Sequence, residues 1–176
     1  RLIGRRFRLA HIHFGREIIE VATFRAAASQ DDKYADMAHD DGGRILRDNV
    51  YGSINEDVWR RDFTCNALYY NIADFSIWDY VGGVRDIQKR KLVLIGDPHK
   101  RFREDPVRML RAVRFSAKLN FTIDDKTVEA MRGLTELLGN VPPARLFDEF
   151  LKLFQTGYAK RTFELLRKYH LFAQLF

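Results

Sequence analysis

The character of this sequence changes near Pro98, and that change constrains the fold more than any other feature. Beyond this point, apolar side chains recur every three to four residues, as they do on one face of a helix. The predicted helices are 105–119, 124–139, 143–156 and 159–172. The pair Asp105–Pro106 is a favourable helix start, because aspartate accepts from free N–H groups and proline suits the first helical position. The second part of the chain is therefore predicted to be helical throughout.

The beginning of the chain carries strand and loop patterns instead. Two runs rich in alternating or β-branched residues, 7–14 and 17–25, flank Gly15–Arg16 and predict an antiparallel hairpin. The stretch 26–44 is small, polar and acidic, without apolar periodicity, and predicts a loop.

Helix and strand patterns then alternate up to the change of character. An apolar stripe with helical spacing predicts a helix over 55–72. Short strands are predicted at 75–81 and 91–95, around a turn at Gly82–Gly83. The expected fold class is α+β, with a mixed strand and helix head over 1–96 packed against a helical neck over 97–176.

The charge balance favours a polyanionic partner. The 30 Lys and Arg residues outnumber the 24 Asp and Glu residues, for a net charge of +6. Arginine dominates the clusters, and its planar guanidinium group suits phosphates and base edges better than an ammonium group does. The clusters comprise Arg5, Arg6 and Arg8; Arg60 and Arg61; and Arg101, Arg103, Arg108, Arg111 and Arg114. A basic, solvated surface is the alternative interpretation.

Two features bear on the setting of the protein. No apolar run approaches the ~20 residues that span a bilayer, so no membrane partner is expected. The single cysteine, Cys65, cannot form an intrachain disulfide and favours a reducing cytosol. A cytoplasmic protein is therefore expected.

The segment from Arg103 to Phe115 is physically unusual. Three arginines recur at intervals of three residues, so they share one side of the predicted helix and repel each other. They are Arg108, Arg111 and Arg114, and the parallel stripe Val107, Leu110 and Val113 is predicted to pack inward. Asp105 and Arg108 together offer an acceptor and a fork of donors, which matches the edge of a base. In the alternative, Asp105 only caps the helix and the arginines face solvent.

The run Arg60-Arg61-Asp62-Phe63-Thr64-Cys65-Asn66 carries a second candidate pair. Asp62 and Asn66 are four residues apart and would share a face of the predicted helix. A carboxylate and an amide on one face suit ribose hydroxyls, or the orientation of a phosphate-binding arginine. The alternative is that Asp62 stabilises the helix dipole from the first turn while Asn66 lies on the surface.

Glu20 is a carboxylate within a strand of apolar neighbours. Such a placement suits a metal ligand or a paired buried acid, because an unpaired buried charge is costly. Strand alternation could instead direct Glu20 to solvent. His11 and His13 alternate on the preceding strand, but no third ligand at a useful spacing predicts zinc.

Taken in order, these residues resemble the class II nucleotidyltransferases, the family of bacterial poly(A) polymerases and eubacterial-type CCA-adding enzymes. The family's Arg-Arg-Asp-x-x-x-Asn motif matches Arg60, Arg61, Asp62 and Asn66. Its Asp-x-x-Gly-Gly-x-x-Asp motif matches Asp79, Gly82, Gly83 and Asp86. Its Glu-Asp-x-x-Arg-x-x-Arg-x-x-Arg-Phe motif matches Glu104, Asp105, Arg108, Arg111, Arg114 and Phe115. The resemblance runs from Gly4 to Phe176, and the stretches 5–7, 18–25 and 142–153 look closest to the poly(A) polymerase branch.

The resemblance implies a reaction in which the 3′-hydroxyl of RNA attacks the α-phosphate of ATP and expels pyrophosphate. ATP and an RNA 3′ end are thus the implied partners. The nucleotide would be bound by Arg61, Asp62, Asn66, Asp105, Arg108, Arg111 and Arg114. Within that set, Asp62 and Asn66 would hold the ribose, and Asp105 with Arg108 would read the adenine edge.

The resemblance also implies Mg²⁺, held by an Asp-x-Asp pair with help from a third carboxylate, for which Glu20 and Asp62 are the local candidates. The pair itself is expected upstream of Arg1, in a longer protein, so the chain alone is expected to be inactive. One alternative is a tRNA CCA-adding nucleotidyltransferase, which shares the three motifs. Another is a catalytically dead RNA-binding module on the same scaffold.

Overall fold

The structure is a computed structural model that describes residues 2–3, 9–26 and 51–175. It contains two compact units, Arg1–Arg60 and Arg61–Phe176. Helices combine with small sheets, which confirms the expected α+β class. No helix in these described ranges has the length and apolar character needed to cross a membrane. The boundary between a head over 1–96 and a neck over 97–176 stays a prediction.

The first unit contains a three-stranded antiparallel sheet in the order β1-β2-β3. Its strands are β1 (Leu2–Ile3), β2 (Leu9–Phe14) and β3 (Glu17–Val21). The predicted hairpin is confirmed, with Phe14 opposite Glu17 across a turn whose Gly15 has a φ of 61°. The second strand ends at Val21, four residues earlier than expected. The predicted loop over 26–44, apart from Ala26, and the cluster Arg5, Arg6 and Arg8 lie outside the described residues.

Helix α1 (Ile54–Arg60) ends far short of the helix predicted over 55–72. The prediction was wrong because the next residues pair with a distant segment. Thr64 N–H donates to Val93 O at 3.0 Å, and Ile95 N–H donates to Asp62 O at 2.8 Å. These bonds hold the chain extended at Phe63 before a short 3₁₀ turn, Thr64–Asn66. Aromatic residues favour strands, and the next element is a strand.

The strand part of the second unit consists of two small sheets. Strands β4 (Leu68–Asn71) and β5 (Ser76–Asp79) pair antiparallel, and β6 (Lys91–Leu92) pairs parallel with the unpredicted β7 (Thr122–Ile123). The strands predicted at 75–81 and 91–95 thus exist in shortened form. Between them Gly82, with a φ of 81°, begins helix α2 (Gly83–Gln88) rather than a simple turn.

Five helices follow: α3 (Pro98–Glu104), α4 (Val107–Leu119), α5 (Asp125–Arg132), α6 (Pro143–Phe154) and α7 (Ala159–Lys168). The helical character of this part is confirmed, although α3 was not expected as a separate helix. The predicted helix 124–139 is divided into α5 and a 3₁₀ stretch, Thr135–Asn140, because the helix stops at Gly133. The helix predicted to reach residue 172 ends at Lys168, and His170 has a positive φ of 59°.

Helix α4 lies at the centre of the second unit. Its predicted inward stripe, Val107, Leu110 and Val113, is buried. The stripe faces β6, β7, α6 and α7. Full burial of one such side chain contributes about 1.5–3 kcal/mol. The hydrophobic stripe therefore fixes α4, and with it the direction of the arginines on its other side.

Candidate functional site

Asp62 is the point at which two of the sequence motifs meet. Its Oδ1 accepts from Phe63 N–H at 2.8 Å and from Asn66 Nδ2 at 3.1 Å. Its Oδ2 lies 2.7 Å from Arg111 Nε and 2.5 Å from Arg111 Nη2. Asp62 and Asn66 are therefore in contact as expected, but through a 3₁₀ turn instead of a helix. Since α1 has ended at Arg60, Asp62 does not lie in the first turn of that helix.

Helix α2 packs against the 3₁₀ turn that follows Asp62. Thr64 Oγ1 donates to Asp86 Oδ2 at 2.9 Å, and both residues are buried. A Cβ on Gly83 would lie 2.3 Å from Thr64 O, so only glycine permits this approach. Asp86 and Gly83 therefore hold the 3₁₀ turn in place.

Asp79 fixes the start of the same helix. One carboxylate oxygen accepts from the N–H groups of Val81, Gly82 and Gly83, and the other accepts from Val84. Burial alone would raise the pKa of Asp79, but the four backbone donors outweigh it and lower the pKa below its ordinary value of 3.8. In this chain the Asp-x-x-Gly-Gly-x-x-Asp motif thus supports the Asp62 segment structurally.

The two arginines that precede Asp62 have different surroundings. Arg60 belongs to α1 and pairs with Asp57 of that helix at 3.0 Å. Arg61 donates from Nε to Tyr69 Oη at 2.9 Å and from Nη1 to Asn66 O at 3.2 Å. The Arg61 side chain is therefore directed along the 3₁₀ turn beside Asp62.

Arg108 is anchored at the α3–α4 junction. Its Nη1 donates to Arg101 O at 2.7 Å and lies 3.3 Å from Glu104 Oε2. Burial, and after it the charge of Arg101, lower the pKa of Arg108, while Asp105 and Glu104 act in the opposite direction. Within the described part of the chain, Nε and Nη2 of Arg108 make no hydrogen bond, so these donors remain for a ligand.

Arg111 and Arg114 are positioned by an aromatic side chain. Their guanidinium groups lie 5.2 Å and 4.9 Å from the ring centre of Phe115, which packs edge-on against Phe63. Arg114 Nη2 is also 3.9 Å from Glu149 Oε2 on α6. The alternative of purely solvated arginines does not hold, because Arg108, Arg111 and Arg114 all face carboxylates.

Asp105 does not pair with Arg108. It accepts from Val107 N–H at 3.2 Å, and its Oδ2 accepts from Arg145 Nη2 at 2.8 Å. The expectation that Asp105 is the N-cap of this helix was wrong by one residue, because the N-cap of α4 is Pro106 and Asp105 is the C-cap of α3. No sequence motif indicated Arg145 as a site residue. A signal was present, because Arg145 lies in the first turn of α6, where the helix dipole disfavours a cation unless an acid offsets it.

Glu20 belongs to the first unit and faces solvent. It lies opposite His11 in the β2–β3 pair, with His11 Nε2 3.3 Å from Glu20 Oε1, and its side chain is 66% exposed. This is the alternative placement that strand alternation allowed. His11 and His13 lie on one face of β2, since they are two residues apart in a strand.

The described residues do not fit a metal site. Within the ranges that the structure describes, no three His, Cys, Asp or Glu side chains form a group able to hold a metal ion. Asp62 in particular already has an arginine on one oxygen and N–H donors on the other. A single carboxylate that assists an aspartate pair would not form such a group by itself, so the assisting roles of Asp62 and Glu20 stay predictions.

Two family models match the chain. Residues 1–93 match "Poly A polymerase head domain", and residues 120–176 match "Probable RNA and SrmB- binding site of polymerase A". Poly(A) polymerase I of Salmonella typhi is 57% identical over 178 residues, covering 100% of this chain and 38% of that protein. A CCA-adding enzyme of Lactobacillus helveticus is 34% identical over 152 residues, covering 86% of this chain and 36% of that protein.

Among solved structures, a tRNA nucleotidyltransferase complexed with a primer tRNA and an incoming ATP analogue has a similar fold. The TM-score is 0.78 at 30% identity, over 98% of this chain and 46% of that one. The chain thus spans about two fifths of the length of the curated relatives that it matches.

Proposed function

The chain belongs to the poly(A) polymerase family, and from that premise we propose that it carries the nucleotide-selecting and RNA-holding part of an enzyme that adds AMP from ATP to RNA 3′ ends. Polymerisation itself is proposed for the full-length protein, in the cytosol. The head is proposed to comprise residues 1–96, and the helical neck residues 97–176. Helix α4 lies wholly between the two family matches, the first of which ends at residue 93 and the second of which begins at residue 120.

The convergence of α4 and the 3₁₀ turn on Asp62 carries this proposal. Residues from two separate family motifs, Asn66 and Arg111, hold one carboxylate between them. A ribose that binds beside this group can donate its hydroxyls to Asp62 and accept from Asn66, which offers both a carbonyl and an amide. The Arg61 side chain runs along the same turn, and we propose that it also contacts the bound nucleotide.

The adenine edge is proposed to bind between Asp105 and Arg108. Adenine presents an amino donor, and beside it a ring nitrogen that accepts a hydrogen bond. A carboxylate has about four acceptor positions, so Asp105 can accept from a base while Val107 N–H and Arg145 keep their contacts. Arg108 still has Nε and Nη2 to donate, as none of the described residues accepts from them.

The triphosphate is proposed to lie along Arg111 and Arg114. Phe115 limits the rotation of both guanidinium groups, so less side-chain freedom is lost when they bind a phosphate. When the triphosphate binds, Arg111 would exchange part of its contact with Asp62, and Arg114 part of its contact with Glu149, for charge-assisted hydrogen bonds to phosphate oxygens. The Mg²⁺ that the family resemblance implies would be held mainly by an Asp-x-Asp pair, and Asp62 and Glu20 stay the candidates for the assisting carboxylate.

The full-length protein tests this function directly. A 5′-labelled RNA with a free 3′-hydroxyl is incubated with each of the four nucleoside triphosphates in turn. We expect a long ladder with ATP and little extension with CTP, GTP or UTP. No extension with any nucleotide would contradict the proposal and favour a binding module without polymerase activity.

A CCA-adding activity is the second candidate, because the family motifs are shared and the solved neighbour is a tRNA nucleotidyltransferase. Its signature is addition of two cytidylates and one adenylate to a tRNA that lacks its 3′ end, followed by a stop. The higher identity to poly(A) polymerase I, 57% against 34%, favours the first candidate.

A further inference from the structure

The positive charge of the region matched to RNA binding is concentrated on one helix. In α5 and in α6, two cations balance two carboxylates: Lys126 and Arg132 against Asp125 and Glu129, and Arg145 and Lys152 against Asp148 and Glu149. In α7, four cations stand against one carboxylate, for a net charge of +3: Lys160, Arg161, Arg167 and Lys168 against Glu164. This imbalance distinguishes α7 from the other two helices.

The charges of α7 share one side of the helix. At 3.6 residues per turn, all five positions fall within about 120° of arc. The side chains buried in the core, Thr162, Leu166 and Tyr169, fall on the opposite side. The five charged residues are all exposed. Packing therefore fixes α7 with a basic face directed outward.

These cations differ from four arginines of α3 and α4 in forming no ion pair with the residues that the structure describes. The four arginines that each form an ion pair with an acidic side chain are Arg101, Arg108, Arg111 and Arg114. By contrast, none of the four cations of α7 forms an ion pair with any residue in the described ranges. Each of the four cations lies three or four residues from Glu164, so one carboxylate is shared among four cations and the helix keeps three unbalanced positive charges, which an external polyanion can neutralise.

Two exposed aromatic rings accompany the basic face. Tyr158, just before α7, is 42% exposed, and Phe163 within it is 39% exposed. Arg167 lies 6.0 Å from the ring centre of Phe163, and Phe163 is braced edge-on by Phe172. Proteins that bind single-stranded nucleic acid combine a basic track for phosphates with aromatic rings on which unpaired bases stack.

We propose that the outward face of α7 binds the sugar-phosphate backbone of single-stranded RNA, without sequence preference. From Lys160 to Lys168 the face is about 12 Å long, so it can contact only a few successive phosphates. The inference rests on the proposed function, and it assigns RNA contact to α7 instead of to α5 or α6. RNA held there would be retained between successive nucleotide additions.

The test is the salt dependence of RNA binding by the 176-residue chain. Fluorescence anisotropy with labelled 15-nucleotide oligo(A), at several KCl concentrations, compares the wild type with Arg161→Gln/Arg167→Gln. Each lost phosphate contact lowers the slope of log K against log [salt] by about 0.7 for a single strand. We therefore expect a slope shallower by about 1.4 and affinity about 20-fold lower near 0.1 M salt.

The double variant Lys126→Gln/Arg132→Gln on α5 is the matched control, because it removes the same charge within the same family match. It should bind oligo(A) like the wild type. Equal losses in both double variants would mean that only net charge matters and would overturn the assignment to α7, as would an unchanged slope in the α7 variant. A duplex RNA bound as tightly as oligo(A) would overturn the preference for single strands. Failure of the wild-type full-length protein to extend RNA would count against the proposed function alone.

Discussion

Asp62 receives donors from three places along the chain: the next backbone N–H, a side chain four residues later and an arginine 49 residues later. Replacing Asp62 by Asn keeps the shape of the side chain but removes the charge that orients Arg111. In the full-length protein we expect Asp62→Asn to lower ATP turnover by about a hundredfold, the order that a misplaced reacting group costs. Steady-state kinetics and a thermal melt of the same preparation measure both effects.

Asp97 offers the control for that experiment. It caps α3 by accepting from Lys100 N–H at 2.8 Å, so Asp97→Asn or Asp97→Ala changes a carboxylate with a structural role only. The alanine variant should lose about 1 kcal/mol of stability and keep normal turnover. Normal turnover in a destabilised Asp62→Asn protein would contradict the role proposed for Asp62.

Arg108 is expected to decide base choice. Arg108→Ala should reduce AMP incorporation and relax the preference for ATP over CTP by about 1–3 kcal/mol, the usual contribution of a bidentate base contact. Arg108→Lys should be nearly as defective, because an ammonium group cannot replace the planar fork. Arg103→Ala, at an exposed position of α3, serves as control. An unchanged ATP-to-CTP ratio in the alanine variant would remove Arg108 from base reading.

At the scale of single elements, the Asp79 carboxylate binds the backbone N–H groups at the start of α2, so the stability of the protein depends on the charge of Asp79 and hence on pH. The pKa of its carboxyl is lower in the folded protein than the ordinary value of 3.8. The stabilisation is therefore complete above that value and is lost as the pH falls through the lower, folded pKa. We expect the stability difference between the wild type and Asp79→Asn to shrink below about pH 4.

Urea unfolding at pH 7 and at steps down to pH 3 measures this difference. The variant Asp148→Asn, at an exposed position of α6, removes the same charge from a side chain that makes no hydrogen bond or ion pair with the residues that the structure describes. If the stability difference between the wild type and Asp79→Asn stays constant from pH 7 to pH 3, the backbone donors do not favour the charged carboxylate.

Gly83 tests the support that α2 gives to the Asp62 segment. Gly83→Ala would place a Cβ 2.3 Å from a backbone oxygen, Thr64 O, which cannot move without shifting the 3₁₀ turn. We expect a loss of about 1–3 kcal/mol of stability, as for other overpacked sites, together with weaker ATP binding. Gly139→Ala has open space around its Cβ and should be close to neutral. Equal melting temperatures for the two variants would contradict the close approach.

The elements show why periodicity alone predicted some segments and missed others. Helix α4 follows its pattern because its apolar stripe, Val107, Leu110 and Val113, is buried as the periodicity predicts. The helix predicted over 55–72 failed, because Asp62 and Thr64 form backbone hydrogen bonds with residues 93–95, and no local pattern reveals that pairing. Strand β7 was missed for the same reason, since its two residues pair with β6, 31 positions earlier.

At the scale of the whole molecule, sequence motifs predicted candidate site residues, but only the contact between Asp62 and Asn66 among their pairings. The pairing of Asp62 with Arg111, and of Asp105 with Arg145, depends on how α4 and α6 pack, which the motif spacing does not contain. The charge pattern of α7 indicates an RNA-binding surface that the arginine clusters in the sequence did not suggest. The arginines of α3 and α4 that form ion pairs with carboxylates are Arg101, Arg108, Arg111 and Arg114. The basic residues of α7 form no ion pair with the described residues.

The ion pair between Asp62 and Arg111 also sets an order of events during synthesis. The two residues are 49 positions apart, so Asp62 leaves the ribosome well before its partner. At 5–20 residues per second the interval is roughly 2–10 s. During this interval the Asp62 carboxylate has only local donors and water, and the proposed nucleotide site cannot close. A nascent chain that stalls before α4 emerges would therefore lack the proposed ATP-binding site, however well its earlier strands had formed.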